Sequence, residues 1–133
     1  MSACLRHFIR WQILVLTCCL LAGCERRVSF SGDADQLEKE FGLTSSSQPA
    51  SDPSTYKTAE TPVLVKTLAV ALRSNDLDTA AVVLHTLNYR GHGLSFDQDS
   101  AIRRAFGDVS TELSERAAKG DQHAKDLANK MNP

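Results

Sequence analysis

From residue 61 onward, apolar side chains fall at helical spacing. Leu64, Leu68, Ala71 and Leu72 recur at intervals of four, three and one, an amphipathic stripe running to about Arg73. Thr61 followed by Pro62 predicts its start, with Thr61 as N-cap and proline at the first helical position. Ser74-Asn75-Asp76 interrupts the stripe, and Ala80, Val83, Leu84 and Leu87 predict a second helix to about Tyr89. So short a connection makes the two helices antiparallel neighbours. Arg90-Gly91-His92-Gly93 closes the second helix. Ser95-Phe96-Asp97-Gln98 matches a capping box, and Ile102, Phe106, Val109, Leu113 and Ala117 carry a third helix to about Lys119. Gly107 inside it costs roughly 1 kcal/mol relative to alanine and suggests a close crossing or a bend. Gly120 ends that helix, and Asp121 caps a fourth with Ala124, Leu127, Ala128 and Met131 on its stripe. The pattern contains no convincing strand. It predicts an all-α fold, a small antiparallel hairpin or bundle of three to four helices over residues 61–133.

The preceding stretch reads differently. Residues 33–41 allow a short helix, with Asp33 as N-cap, Leu37 and Phe41 on one face, and Gly42 just past the end. Nine residues do not make an independent helix in water, so it either docks on the C-terminal domain or flickers. Residues 44–61 turn to Ser, Thr, Pro, Gln and Asp, with Tyr56 as the single large apolar group. Such a composition predicts a flexible spacer, and its Ser and Thr beside Pro also fit glycosylation. The domain reading is therefore a leader over 1–23, a tether over 24–60 and a helical domain over 61–133.

The leader carries Arg6, His7 and Arg10, followed by thirteen uncharged residues from Trp11 to Gly23. That run has the length of a signal-peptide apolar region and falls short of the roughly 20 residues that span a bilayer. It ends in Leu21-Ala22-Gly23-Cys24, which resembles the lipobox of bacterial lipoproteins. The resemblance covers about the first 25 residues. It implies cleavage between Gly23 and Cys24, acylation of the Cys24 thiol, and Cys24 as the new N-terminus. It also implies a place in the bacterial cell envelope, lipid-anchored and facing the periplasm or exterior. Glu25 is a weaker form of the acidic signal that retains some lipoproteins in the inner membrane, so the choice of membrane stays open. An ordinary signal peptide with a chance cysteine is the competing reading. Two acyl chains give durable anchoring, since each buried methylene contributes about 0.8 kcal/mol.

A faint internal echo pairs Asn75-Asp76-Leu77-Asp78-Thr79-Ala80 with Gly120-Asp121-Gln122-His123-Ala124. Both stretches set Asp at an N-cap and Ala near the first packed turn. The C-terminal half is in this respect loosely similar to tetratricopeptide-type helix pairs. The offset from Asp76 to Asp121 is 45 residues, whereas that family repeats at about 34 and carries aromatic landmarks missing here. A hairpin and a half implies an apolar groove left open, or self-association.

Charge narrows the partners. The chain holds 15 basic and 16 acidic residues. Removing the leader takes away Arg6 and Arg10, and residues 61–133 are evenly balanced. No basic patch of the kind that neutralises phosphates remains, which argues against nucleic acid. Of the cysteines, Cys4, Cys18 and Cys19 leave with the leader and Cys24 takes the lipid. The mature fold therefore has no disulfide and no thiolate for metal binding or catalysis. His85, His92 and His123 lack metal-site spacing, and no cofactor is expected. Asp108, Glu112 and Glu115 could suggest acid–base work. However, Asp99–Arg103, Glu112–Arg116, Glu115–Lys119, Asp121–Lys125 and Asp126–Lys130 are acid-before-base pairs at i,i+4, as on a solvated helix face.

The leading expectation is a non-enzymatic, membrane-anchored lipoprotein whose helical module engages another protein or a second copy of itself. The alternative is a small-ligand or cell-wall binding lipoprotein with an apolar groove walled by Leu64, Leu84, Phe106 and Leu113. A third reading is an enzyme centred on His92 with Tyr89 and Arg90.

Overall fold

In the computed structural model, residues 29–43, 48–90 and 93–132 are described. They form five α-helices: α1 (Ser31–Glu40), α2 (Thr61–Ser74), α3 (Leu77–Arg90), α4 (Phe96–Ala118) and α5 (Gln122–Met131). A short 3-10 turn, Pro53–Thr55, lies between α1 and α2. The fold is all-α, and among the described residues there is no strand. Helices α1 to α4 close a ring in which each packs on the next and α1 returns to α4, while α5 lies over the seam of α3 and α4.

Local chemistry sets most boundaries. Helix α2 ends at Asn75, whose left-handed φ of 56° lets its N–H and that of Asp76 bond back to Leu72 and Ala71. Asp76 then accepts from the Thr79 N–H at the start of α3. The expected capping box opens α4: Ser95 accepts from the Gln98 N–H, and the Gln98 side chain accepts from the Ser95 N–H. Gly107 sits inside one continuous α4, with open space where a Cβ would stand, so no close helix crossing requires it. Asp121 caps α5 through the Ala124 N–H.

Two starts differ from expectation. Thr61 is already helical and Glu60 precedes it without a side-chain cap, so Pro62, which needs no N–H partner in the first turn, carries the start. Likewise α1 begins at Ser31 after Phe30, and Asp33 lies in its first turn rather than at its cap.

The larger difference is that the short N-terminal helix belongs to the core. Phe30, Ala34 and Leu37 are buried in the same core as Leu64, Leu68, Leu84 and Val109. Helix α1 thus docks, adding a fifth helix to the three or four expected. The spacer reading also needs correction over residues 48–60. Tyr56 is buried, Ala50 N–H donates to Thr67 Oγ1 at 2.7 Å, and Arg90 donates to the Ala59 carbonyl. One aromatic ring and two backbone bonds suffice to lay a polar segment on the helices. Residues 44–47 lie outside the described residues.

Candidate functional site

The lipobox-like stretch, with Gly23 and Cys24, lies outside the described residues, as does His92. Among the described residues, no helix is long and apolar enough to cross a membrane. The expected apolar wall does not exist as a surface. Leu64, Leu84 and Leu113 are buried in the core that also holds Phe30 and, from α1, Ala34 and Leu37. Only Phe106 of that set is partly open.

Phe106 lines a cavity of about 580 Å³ between α3 and α4, with Leu87, Leu94 and Ile102 as its other apolar walls and Arg103 and Asp99 on its polar side. Arg103 donates to Asp99 at 2.6 Å, one of the expected i,i+4 pairs. At the same α3–α4 corner, Phe96 is 86% exposed and Tyr89 65% exposed. Tyr89 stacks at a tilt on His85, ring centres 4.8 Å apart. Phe96 is the most exposed of the large hydrophobic residues among those described. Exposed aromatic area next to a hollow of mixed apolar and polar lining is a feature of contact surfaces.

A second hollow, about 320 Å³, runs between the 3-10 turn, α3 and α5. Tyr56, Ala81, Val82, Leu127 and Met131 give it an apolar floor, with Lys57, Lys130 and His85 around it. Burial and the nearby Asp76 carboxylate push the Tyr56 phenol up, while its hydrogen bond with Thr79 acts the other way.

A smaller cleft of about 190 Å³ lies where the α2–α3 and α4–α5 turns meet. It brings the two echoing stretches together: His123 Nε2 and Asp78 Oδ1 share a hydrogen bond of 2.7 Å. Both groups are largely exposed, so the pair is a surface contact of small energetic value.

The carboxylates singled out from sequence separate into structural roles. Glu112 accepts from Arg116 at 2.7 Å as expected, whereas Asp121 caps α5 and Asp126 accepts from Gln122. Asp108 faces Asp33 across the α1–α4 interface. Burial first, then the Asp108 charge and its hydrogen bond, raise the Asp33 carboxyl, with Arg104 opposing them.

The charged cluster that sequence reading missed joins α1 to α2. Arg73 donates to Asp35 at 2.6 Å and to both oxygens of Glu38, and Lys66 donates to Glu38 at 2.8 Å. Hydrogen bonds from Arg73 and then Lys66 hold the Glu38 carboxyl down at about 2. The partners are 28 to 38 residues apart, so no local spacing could reveal them. Arg90, considered above for chemistry with Tyr89 and His92, has its guanidinium on the Ala59 carbonyl. Among the described residues, no three His, Cys, Asp or Glu side chains gather to hold a metal ion. Comparison with protein-family models, curated proteins and solved structures finds no match.

Proposed function

We propose that this chain is a membrane-anchored envelope lipoprotein whose helical module docks another protein or a second copy of itself, without catalysis. The observation that carries the anchor is the Leu21-Ala22-Gly23-Cys24 sequence behind a basic leader and a thirteen-residue uncharged run. Support for docking comes from Phe96 and Tyr89, exposed beside the cavity lined by Phe106 and Ile102. Cells fed labelled palmitate test the anchor: wild type takes up label and Cys24→Ser does not. An unlabelled wild-type protein removes the lipoprotein reading. Photo-crosslinkers at Phe96 and Tyr89 test the module, which traps a discrete partner or a homodimer in intact cells. A clean background at both positions, in acylated protein, removes the docking role.

A second reading rests on the hollow floored by Tyr56, Val82 and Met131. Its apolar floor and flanking Lys57 and Lys130 suit an amphiphilic anion. Val82→Glu abolishes such binding, measured with a fluorescent fatty acid on the purified protein. Equal binding by wild type and variant dismisses this pocket.

A further inference from the structure

The docked α1 changes what the lipid would hold. Between Cys24 and the described Ser29 there are only four residues, and Phe30 is already buried in the core. A fully extended chain gains at most about 3.6 Å per residue, so Ser29 lies within about 18 Å of the Cys24 backbone. Helix α1 is fastened on both flanks. On one side Asp35 and Glu38 bind Arg73 and Lys66. On the other, Gln98 donates to the Glu40 carbonyl at 3.2 Å and Arg104 reaches Asp33 at 3.5 Å.

These pairings also fix direction. Residues 33 and 40 of α1 meet residues 104 and 98 of α4, so the two helices are antiparallel. Helix α1 therefore starts toward the end where α4 finishes. The His123–Asp78 bond puts the starts of α5 and α3 at that same end. The α2–α3 and α4–α5 turns thus lie in the direction in which α1 starts, although Asp33 meets α4 at Arg104, well short of Ala118. Tyr89 and Phe96 lie at the other end, where α3 finishes and α4 begins.

We propose that the bilayer surface is the partner of the turn-bearing end, and that the bundle rides directly against the membrane with its exposed aromatic corner outward. The inference rests on the lipoprotein reading above. The polar stretch 44–60, spacer-like in composition, is then an internal connection between α1 and α2 and contributes nothing to the distance from the membrane. Asp76, Asp78 and Asp121 at the turn-bearing end are acidic and exposed, so the lipid rather than headgroup charge holds it there.

The test uses full-length acylated protein in vesicles carrying a headgroup energy-transfer acceptor, with a donor dye on a single cysteine at Lys119→Cys or Asp97→Cys. A donor at 119 transfers more strongly than one at 97. Ten Gly/Ser residues inserted after Arg27 lower transfer from both sites, adding a mean extension of about 17 Å. The same insertion after Ser46 leaves both unchanged. Equal loss from the two insertions overturns the proposal, since α1 would then travel with the lipid and not with the bundle. Equal transfer from 119 and 97 in uninserted protein overturns the orientation. Cys24→Ser separates the two failures: if palmitate labelling and vesicle binding both survive it, the lipoprotein reading itself falls.

Discussion

Helices α1 and α5 are both ten residues long, and both complete a bundle that α2, α3 and α4 could not close alone. They are specified in opposite ways. Helix α5 carries its instructions locally, with a side-chain cap at Asp121 and a stripe of Ala124, Leu127 and Met131 facing inward. Helix α1 has no side-chain cap. It is held by Phe30 and Leu37 in the core and by carboxylates that find cations on another helix. An element can therefore look like linker and still be core when its partners are distant in sequence.

The strongest way to break the comparison is Leu37→Ala. Leu37 is fully buried, and truncation there costs about 2–5 kcal/mol, read from urea unfolding. A true linker residue would change stability by less than about 0.5 kcal/mol. Next comes Arg73→Met, which leaves Asp35 without this cation and Glu38 with Lys66. The pairs are only partly shielded from water, so the expected loss is about 1–2 kcal/mol.

The same variant changes the acid limb of the stability curve. Glu38 has its carboxyl held down from 4.5 to about 2, so its contribution is complete above 4.5 and disappears as pH falls between those values. Arg73→Met flattens that window in acid unfolding. On α5, Asp121→Ala removes a side-chain cap and costs about 1 kcal/mol. Its effect is confined to α5 amides in hydrogen exchange.

The smallest effect sharpens the picture within α1 itself. Asp33 is raised above its ordinary 3.8 by burial and by Asp108, so it favours the folded state at low pH and loses that advantage as pH rises through its folded value. Asp33→Asn relieves the repulsion at neutral pH. It is expected to raise stability at pH 7 by about 0.5 kcal/mol or less, against no gain at pH 3.

What the sequence disclosed follows the same division. Helices α2 to α5 were legible because stripe, cap and stop sit within a few residues of one another. The Ser95–Gln98 box and the Asp121 cap formed as read, and Gly120 ends α4 with φ +97°. Helix α1 was legible only as a possibility, because Leu37 and Phe41 state a face without stating what it meets. Tyr56 was misjudged because a lone aromatic in a polar run gives no periodicity. The groove expected at Leu64, Leu84 and Leu113 was misplaced for a related reason. Those side chains are buried in the shared core, and the openings lie instead at Phe106 and at Tyr56. The proposed lipobox, Leu21-Ala22-Gly23-Cys24, rests on local sequence alone and lies outside the described residues.

The central claim is that α1, with Phe30 before it, belongs to the folded core. Native-state amide hydrogen exchange on the full-length chain tests it most directly. The account predicts that α1 amides such as that of Leu37 are protected to within about tenfold of those in α5 and lose protection in Leu37→Ala. Exchange of residues 34–40 at the rate of an unstructured peptide, with α3 and α4 protected, would contradict it.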